Sequence, residues 1–211
     1  GSALSRASTI GLLPTGAGKS ICYQLSAVLQ AAISFVVCPI KSLMYDQKED
    51  LDTIGFTRSN VITSDLAPEQ KSRIQNDFGY GKYFFVFISP ERFQTRAFRR
   101  EMIGIGRDRA FAYAVIDEAH CLSEWGHDFR TSYLNLANTI SNLAPEASYI
   151  GLTATASVNV LKDIQAEFKI EDENVRTPLD YTREELSFHV IDDQGQKMDA
   201  LIRIVRNLEE K

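Results

Sequence analysis

The chain has 211 residues, of which 44% are hydrophobic and 24% charged, with a net charge of −5 at pH 7. This length predicts one domain and at most part of a second, and the composition excludes a disordered chain. The negative net charge argues against a nucleic-acid surface, because phosphate contacts favour basic side chains. No apolar run approaches the roughly 20 residues of a membrane-spanning helix, and no signal peptide is visible. We therefore expect no membrane partner and a cytoplasmic location, or a nuclear one in a eukaryote.

Short apolar runs and helical patterns alternate along the chain. The predicted strands are Ser8–Leu13, Ile33–Cys38, Asn60–Thr63, Tyr83–Ile88, Ala112–Ile116 and Tyr149–Leu152. Continuously apolar runs are typical of strands that are buried on both faces. Alternating strands and helices predict a three-layer α/β/α fold with a mostly parallel central sheet.

Three features between these strands carry further expectations. Pro68 followed by Glu69 indicates a helix start. One helical face is predicted to carry Ile21, Leu25, Val28, Leu29 and Ala32, and another Val158, Leu161, Ile164 and Phe168. The cysteines, which are too few and too far apart for a zinc or disulfide framework, are expected to be buried reduced thiols: Cys22, Cys38 and Cys121.

The end of the chain has a different character. Residues 171–174 and Pro178 indicate a linker. A strand over Leu186–Ile191 and an amphipathic helix follow, and that helix carries Met198, Leu201, Ile202, Val205 and Leu208. One strand and one helix cannot bury both their faces, so we predict a first domain over residues 1–170 and an incomplete second unit over 171–211.

A phosphate-binding loop is predicted where the first strand meets the first helix. Glycines there let the backbone wrap a phosphate, and the N–H groups of the loop and helix start face the anion. Lys19 can reach the β- and γ-phosphates of a nucleotide, and the Ser20 hydroxyl can bind Mg²⁺. The predicted nucleotide-binding residues are Thr15, Gly16, Ala17, Gly18, Lys19 and Ser20.

Two adjacent carboxylates follow the fifth predicted strand. Ligands of open α/β sheets bind beyond the carboxyl ends of the strands, which is where Asp117 and Glu118 stand. Two carboxylates beside a phosphate repel it unless a cation intervenes, so the pair itself predicts Mg²⁺ on Asp117. Glu118 is then placed to polarise an attacking water.

Several ordered motifs resemble those of the first RecA-like domain of RecQ-type DNA helicases, in helicase superfamily 2. The stretches that carry the resemblance are Pro14–Gln24, Cys38–Gln47, Ile88–Arg92, Gly151–Ala156 and the long run Asp117–Tyr133, DEAHCLSEWGHDFRTSY. The resemblance covers roughly residues 8–170. It implies a P-loop ATPase with ATP and Mg²⁺ as cofactors and with Lys19, Asp117, Glu118 and His120 in catalytic positions.

The resemblance also implies a DNA-binding side. His120 and Thr153 with Thr155 are expected to couple it to the nucleotide site. The residues expected to contact DNA are Lys41, Ser42, Arg92, Trp125, His127, Phe129 and Arg130. An indole, a phenyl ring and a guanidinium can all stack on bases without reading sequence.

Two departures limit what these residues can do. No Gln precedes residue 24, so the short motif whose Gln reads adenine in such helicases is either missing or was trimmed with an upstream segment, and adenine selectivity is left open. Motifs of the second RecA-like domain are also not seen, although that domain supplies the arginine that completes hydrolysis. We therefore expect a poorly active lobe of a helicase that moves 3′ to 5′ on single-stranded DNA at duplex junctions. A translocase that does not unwind DNA and a non-catalytic binding module are the alternatives.

The net charge of −5 does not exclude a nucleic-acid surface once the distribution of charge along the chain is considered. Residues 1–162 hold 16 basic and 15 acidic residues, whereas residues 163–211 hold 7 and 13. Residues 92–109 alone hold six arginines against two acids. A basic segment beside the DNA-side motifs is compatible with binding a polyanion.

Overall fold

A computed structural model describes residues 2–122, 133, 135–177, 190, 195 and 197–209. Its strands form one sheet in the order β3-β4-β2-β5-β6-β1-β7, and every described pairing is parallel. The strands are β1 Thr9–Leu12, β2 Ile33–Val37, β3 Ser59–Ile62, β4 Phe85–Ile88, β5 Phe111–Asp117, β6 Ser148–Thr153 and β7 Val175–Arg176.

Helices cover both faces of this sheet. They are α1 Lys19–Val28, α2 Lys41–Thr53, α3 Pro68–Gly79, α4 Arg96–Asp108, α5 Leu136–Leu143 and α6 Val158–Phe168. Short 3₁₀ turns span Pro90–Gln94, Ala119–Leu122 and Asp172–Asn174. Buried side chains of α1 and α2 pack with one face of the sheet, and those of α3 to α6 pack with the other. The predicted three-layer fold is confirmed.

Strands β1 to β6 lie where the continuous apolar runs predict them, within two residues at each end. The sequence does not predict β7, a two-residue strand that pairs with β1 at the edge of the sheet. All of β2, β4 and β5 is buried, as the lack of alternation in their sequences indicates. Helix α3 begins at Pro68, as predicted.

Helix α1 buries a different face from the one that its apolar pattern predicts. Tyr23 and Ala27 are buried against the sheet, whereas Ile21, Leu25 and Leu29 are 58%, 57% and 66% exposed. The helix also ends at Val28, before the pattern does. A face of small and aromatic residues makes the sheet contact, and the aliphatic face lines an open groove with the chain start. Cys22 on this helix is exposed, against the prediction of a buried thiol, while the other two cysteines are buried.

The chain divides into two compact units, Gly1–Leu179 and Asp180–Lys211. In the second, helix α7 spans Lys197–Glu209, and its residues Met198 and Leu201 are exposed. The strand predicted over Leu186–Ile191 lies outside the described residues except for Val190, and the predicted domain limit at residue 170 stays a prediction. None of the helices that the structure describes is long and apolar enough to cross a membrane.

Glu167 gives folding stability an unusual pH dependence. Burial, together with Asp163 one turn earlier on α6, raises the pKa of this carboxyl to about 7 from an ordinary 4.5. The folded state therefore disfavours the charged form, so stability falls as pH rises from about 4.5 through 7. Since Glu167 is only half-buried, we expect Glu167→Gln to stabilise the chain by on the order of 1 kcal/mol at pH 8 and hardly at pH 4. Urea unfolding at both pH values measures this, and an equal gain at both would contradict it.

Candidate functional site

Strand order brings the two predicted halves of the site together. The phosphate loop follows β1 and Asp117 ends β5, and both strands pair with β6. Leu12 is in register with Thr153, and Asp117 with Leu152, so the three strand ends lie at one edge. The two halves of the site are about a hundred residues apart in the sequence, but only strand β6 lies between them in the sheet. They meet at the carboxyl ends of the strands, where parallel α/β sheets bind their ligands.

The phosphate loop is open toward solvent. Gly16 and Gly18 have φ of 84° and 79°, values that side-chain-bearing residues rarely adopt. A Cβ built at either position would meet no atom within 4 Å, so free space lies over the loop. Lys19 Nζ donates to the Leu13 carbonyl at 3.4 Å, which holds the ammonium across the loop. Thr15, Gly16 and Ala17 are exposed, while Gly18, Lys19 and Ser20 are half-buried.

Asp117 is a buried carboxylate whose pKa is raised. Burial is the main cause and the neighbouring Glu118 charge adds to it, while hydrogen bonds and Lys19 act in the opposite direction. The Glu118 amide donates to Asp117 Oδ1 at 3.1 Å, and Gln47 Nε2 donates to Oδ2 at 3.5 Å. Burial destabilises the charged form of this carboxyl, and a nearby cation would stabilise it. Asp117 is therefore well suited to bind a metal ion.

Tyr23 and Gln47 extend this arrangement and were not singled out in the sequence. The buried Tyr23 hydroxyl donates to Gln47 Oε1, and Gln47 in turn reaches Asp117. Gln47 is 8% exposed, which is unusual for a glutamine. In the sequence, Gln47 could have been identified as a polar residue on the face of α2 that otherwise carries Met44 and Leu51.

Glu118, His120, Thr153 and Thr155 form one hydrogen-bonded group. His120 Nδ1 lies 2.8 Å from Thr153 Oγ1 and 3.2 Å from Glu118 Oε2. The Thr153 hydroxyl donates its single proton to the Thr155 carbonyl at 3.0 Å, so it accepts from His120 Nδ1. Of the residues that the resemblance assigns to coupling, His120 contacts Glu118 directly, and Thr153 and Thr155 connect to Glu118 through His120. Glu118 has a left-handed φ of 52°.

The predicted DNA contacts divide into three groups. Lys41 at the start of α2 is bound to Ser64 and Asp65, with Nζ–Oδ1 at 2.8 Å, and Ser42 beside it is exposed. Arg92 is half-buried, with its guanidinium 4.9 Å from the centre of the Phe98 ring. The remaining four lie outside the described residues: Trp125, His127, Phe129 and Arg130.

The residues present fit a Mg²⁺–nucleotide pair. The loop offers N–H groups, an ammonium and free space for phosphates, and Ser20 and Asp117 offer two oxygen ligands. No cluster of three or more His, Cys, Asp or Glu able to hold a metal occurs in the part of the chain that the structure describes. Mg²⁺ does not require one, because it usually takes one or two carboxylates and completes its shell with substrate phosphates and water.

We expect Gln47→Leu to weaken Mg²⁺-dependent nucleotide binding about tenfold, because the Asp117 carboxylate loses the amide that orients it. Residues that hydrogen-bond to a metal ligand commonly contribute that much to metal affinity. A titration of Mg²⁺ against binding of a fluorescent ATP analogue measures the shift. Tyr23→Phe is the matched control, since it keeps the Gln47–Asp117 contact, and it should change the midpoint less than about threefold. Equal shifts in both variants would contradict a direct role for Gln47.

The sequence is similar to those of known helicases. Residues 2–164 match the DEAD/DEAH box helicase family. The chain is 36% identical over 94% of its length to the ATP-dependent DNA helicase RecQ of Bacillus subtilis (strain 168), of which it covers 32%. It is 33% identical over 99% of its length to the probable ATP-dependent DNA helicase RecS of the same strain, of which it covers 41%. The chain therefore spans about a third to two fifths of the length of these relatives.

Solved structures agree at the level of the fold. A hypothetical ATP-dependent RNA helicase from Sulfolobus tokodaii superimposes with a TM-score of 0.62 over 83% of this chain and 49% of that one. At 17% identity this likeness concerns the RecA-like fold alone. The sequence match decides the family: the chain belongs to the DEAD/DEAH box helicases and is similar to RecQ DNA helicases within them.

Proposed function

We propose that this chain is the ATP-binding lobe of a RecQ-like DNA helicase. The observation that carries the proposal is the placement of Lys19, Asp117 and Glu118 at the ends of strands on either side of β6. Lys19 and the loop amides bind the phosphates, and Ser20 and Asp117 hold Mg²⁺, which neutralises charge on the phosphates when it is bound. Glu118 orients and deprotonates water.

The hydrogen-bonded group around His120 supports a coupling role. A shift of Thr153 or Thr155 at the end of β6 changes the partner of His120 Nδ1, and His120 in turn lies against Glu118. Contact with DNA at this edge of the sheet therefore has a short physical route to the base. The arginine that completes the ATP site comes from a second RecA-like domain of the whole protein.

Movement from 3′ to 5′ and strand separation belong to that whole protein, and both are tested together. The full-length protein is given a duplex with a 3′ single-stranded tail, a duplex with a 5′ tail, and a blunt duplex, each with ATP and Mg²⁺. We expect separation of the 3′-tailed duplex only. ATP hydrolysis without separation of any duplex would favour a translocase, and separation of the 5′-tailed duplex alone would contradict the proposed direction.

A further inference from the structure

A groove lined by arginines lies between α4 and α5, outside the nucleotide site. Its lining residues are Arg96, Arg99, Arg100 and Ile103 of α4 and Thr139, Asn142 and Leu143 of α5, around a volume of about 400 Å³. Arg96 and Arg100 are exposed and Arg99 is half-buried. We call this feature the arginine groove.

The charges of the arginine groove are not neutralised by the residues that the structure describes. None of its three arginines forms an ion pair with any residue that the structure describes. Glu101, the acid next to them in sequence, is engaged elsewhere, since it accepts a hydrogen bond from Gln75 of α3. Three guanidinium groups beside one groove leave a local positive field that favours an anionic ligand.

The spacing of the arginines suits a polymer better than a single ion. Positions 96, 99 and 100 lie on one helix face, and Arg96 and Arg100 are roughly 6 Å apart along the axis. A row of guanidinium groups can pair with successive phosphates, each through two N–H donors. Ile103 and Leu143 provide an apolar floor, and Thr139 and Asn142 add uncharged hydrogen-bonding groups.

The arginine groove continues the segment that carries Arg92. The guanidinium of Arg92 is turned onto Phe98, and its buried Nε has no hydrogen-bond partner among the described residues. Helix α4 begins at Arg96, just after the 3₁₀ turn that holds Arg92. The exposed positive charge of this segment is therefore provided by the groove arginines.

We propose that the arginine groove binds the phosphodiester backbone of a nucleic-acid strand, without reading its bases. This inference rests on the proposed function and adds a contact surface that its motifs do not include. The groove arginines directly follow the 3₁₀ turn that carries Arg92, a residue predicted to contact DNA, and this position favours nucleic acid over an acidic protein.

The test uses the 211-residue chain, a fluorescently labelled oligo(dT) strand and anisotropy titrations between 50 and 200 mM NaCl. The groove variant is R96Q/R99Q/R100Q. The control, R73Q/K162Q/R203Q, removes the same three charges from exposed helix positions that have no ion pair among the described residues. Circular dichroism and binding of a fluorescent ATP analogue establish that both variants fold.

We expect the groove variant to bind the strand at least about tenfold more weakly at 100 mM NaCl, with a slope of log affinity against log salt reduced by about 2, as three lost single-strand phosphate contacts predict. The control should lose less than about threefold in affinity and keep its slope.

Equal losses of affinity in the two variants, or wild-type binding by the groove variant, would overturn the proposal. The proposal would also be overturned if the groove variant lost binding to a labelled oligoglutamate peptide but still bound DNA. If the unaltered chain binds the ATP analogue but no DNA, the proposal for the arginine groove alone is overturned. If it binds neither, the proposed function is overturned as well.

Discussion

The Lys19→Ala variant is expected to bind ATP at least about 30-fold more weakly than the unaltered chain. The lost contact is a charge-assisted one between an ammonium and phosphate oxygens, which is worth about 2 kcal/mol or more in a half-buried site. Among the described residues, Lys19 Nζ forms a long hydrogen bond to the Leu13 carbonyl at 3.4 Å, so truncation removes little from the folded loop. The effect should therefore fall on binding and leave stability nearly unchanged.

Equilibrium titration of a fluorescent ATP analogue in the presence of Mg²⁺ measures this loss. Lys162→Ala is the control, because Lys162 is an exposed residue of α6 that forms no ion pair within the described part of the chain. It should bind the analogue like the unaltered chain. Equal affinities for the Lys19 and Lys162 variants would contradict the assignment of the phosphate loop.

The second large effect is on folding. Phe35 in β2 is fully buried, and its ring lies 5.8 Å from that of Phe93 and 5.3 Å from that of Phe111. Truncation to Ala removes transfer free energy, leaves a cavity in a close-packed core and breaks both ring contacts. We expect Phe35→Ala to lower the free energy of unfolding by about 3–5 kcal/mol.

Urea denaturation followed by far-ultraviolet circular dichroism gives the free energy directly. Tyr80→Ala is a matched aromatic truncation at a position that is 79% exposed, and it should cost less than about 1 kcal/mol. A Phe35 variant no less stable than the Tyr80 variant would show that the sheet is not packed as described.

The sheet could be predicted because its strands are buried on both faces. Ile33–Val37 and Phe111–Asp117 are almost wholly apolar, and each lies between helices, so composition alone marks them. The order of the strands could not be predicted in the same way. That β6 separates β1 from β5, and so sets the distance between the two halves of the site, is a tertiary result.

Helix α1 shows the limit of periodicity. Its aliphatic face, with Ile21 and Leu25, gives the stronger pattern, yet Tyr23 and Ala27 make the sheet contact. The Tyr23 ring packs edge-on against that of Phe85 in β4, with 6.4 Å between the ring centres. A pattern of apolar residues indicates which faces can be buried, but the neighbouring elements decide which face is.

The candidate site was predictable where local geometry demands particular residues. The phosphate loop needs residues that tolerate positive φ, and Gly16 and Gly18 supply them. The role of Gln47 was harder to predict, because its partner Asp117 lies 70 residues later in the chain. The left-handed φ of Glu118 likewise has no signature in its side chain.

ATP hydrolysis by the full-length protein with Glu118→Gln tests the central claim most directly. The amide keeps the size of the side chain but cannot accept a proton, and loss of a general base typically costs between a hundredfold and ten-thousandfold. We predict that DNA-stimulated hydrolysis falls at least about a hundredfold while ATP affinity stays within about threefold, and that Glu69→Gln at the exposed start of α3 changes neither. Hydrolysis by the Glu118 variant at the unaltered rate would contradict the account.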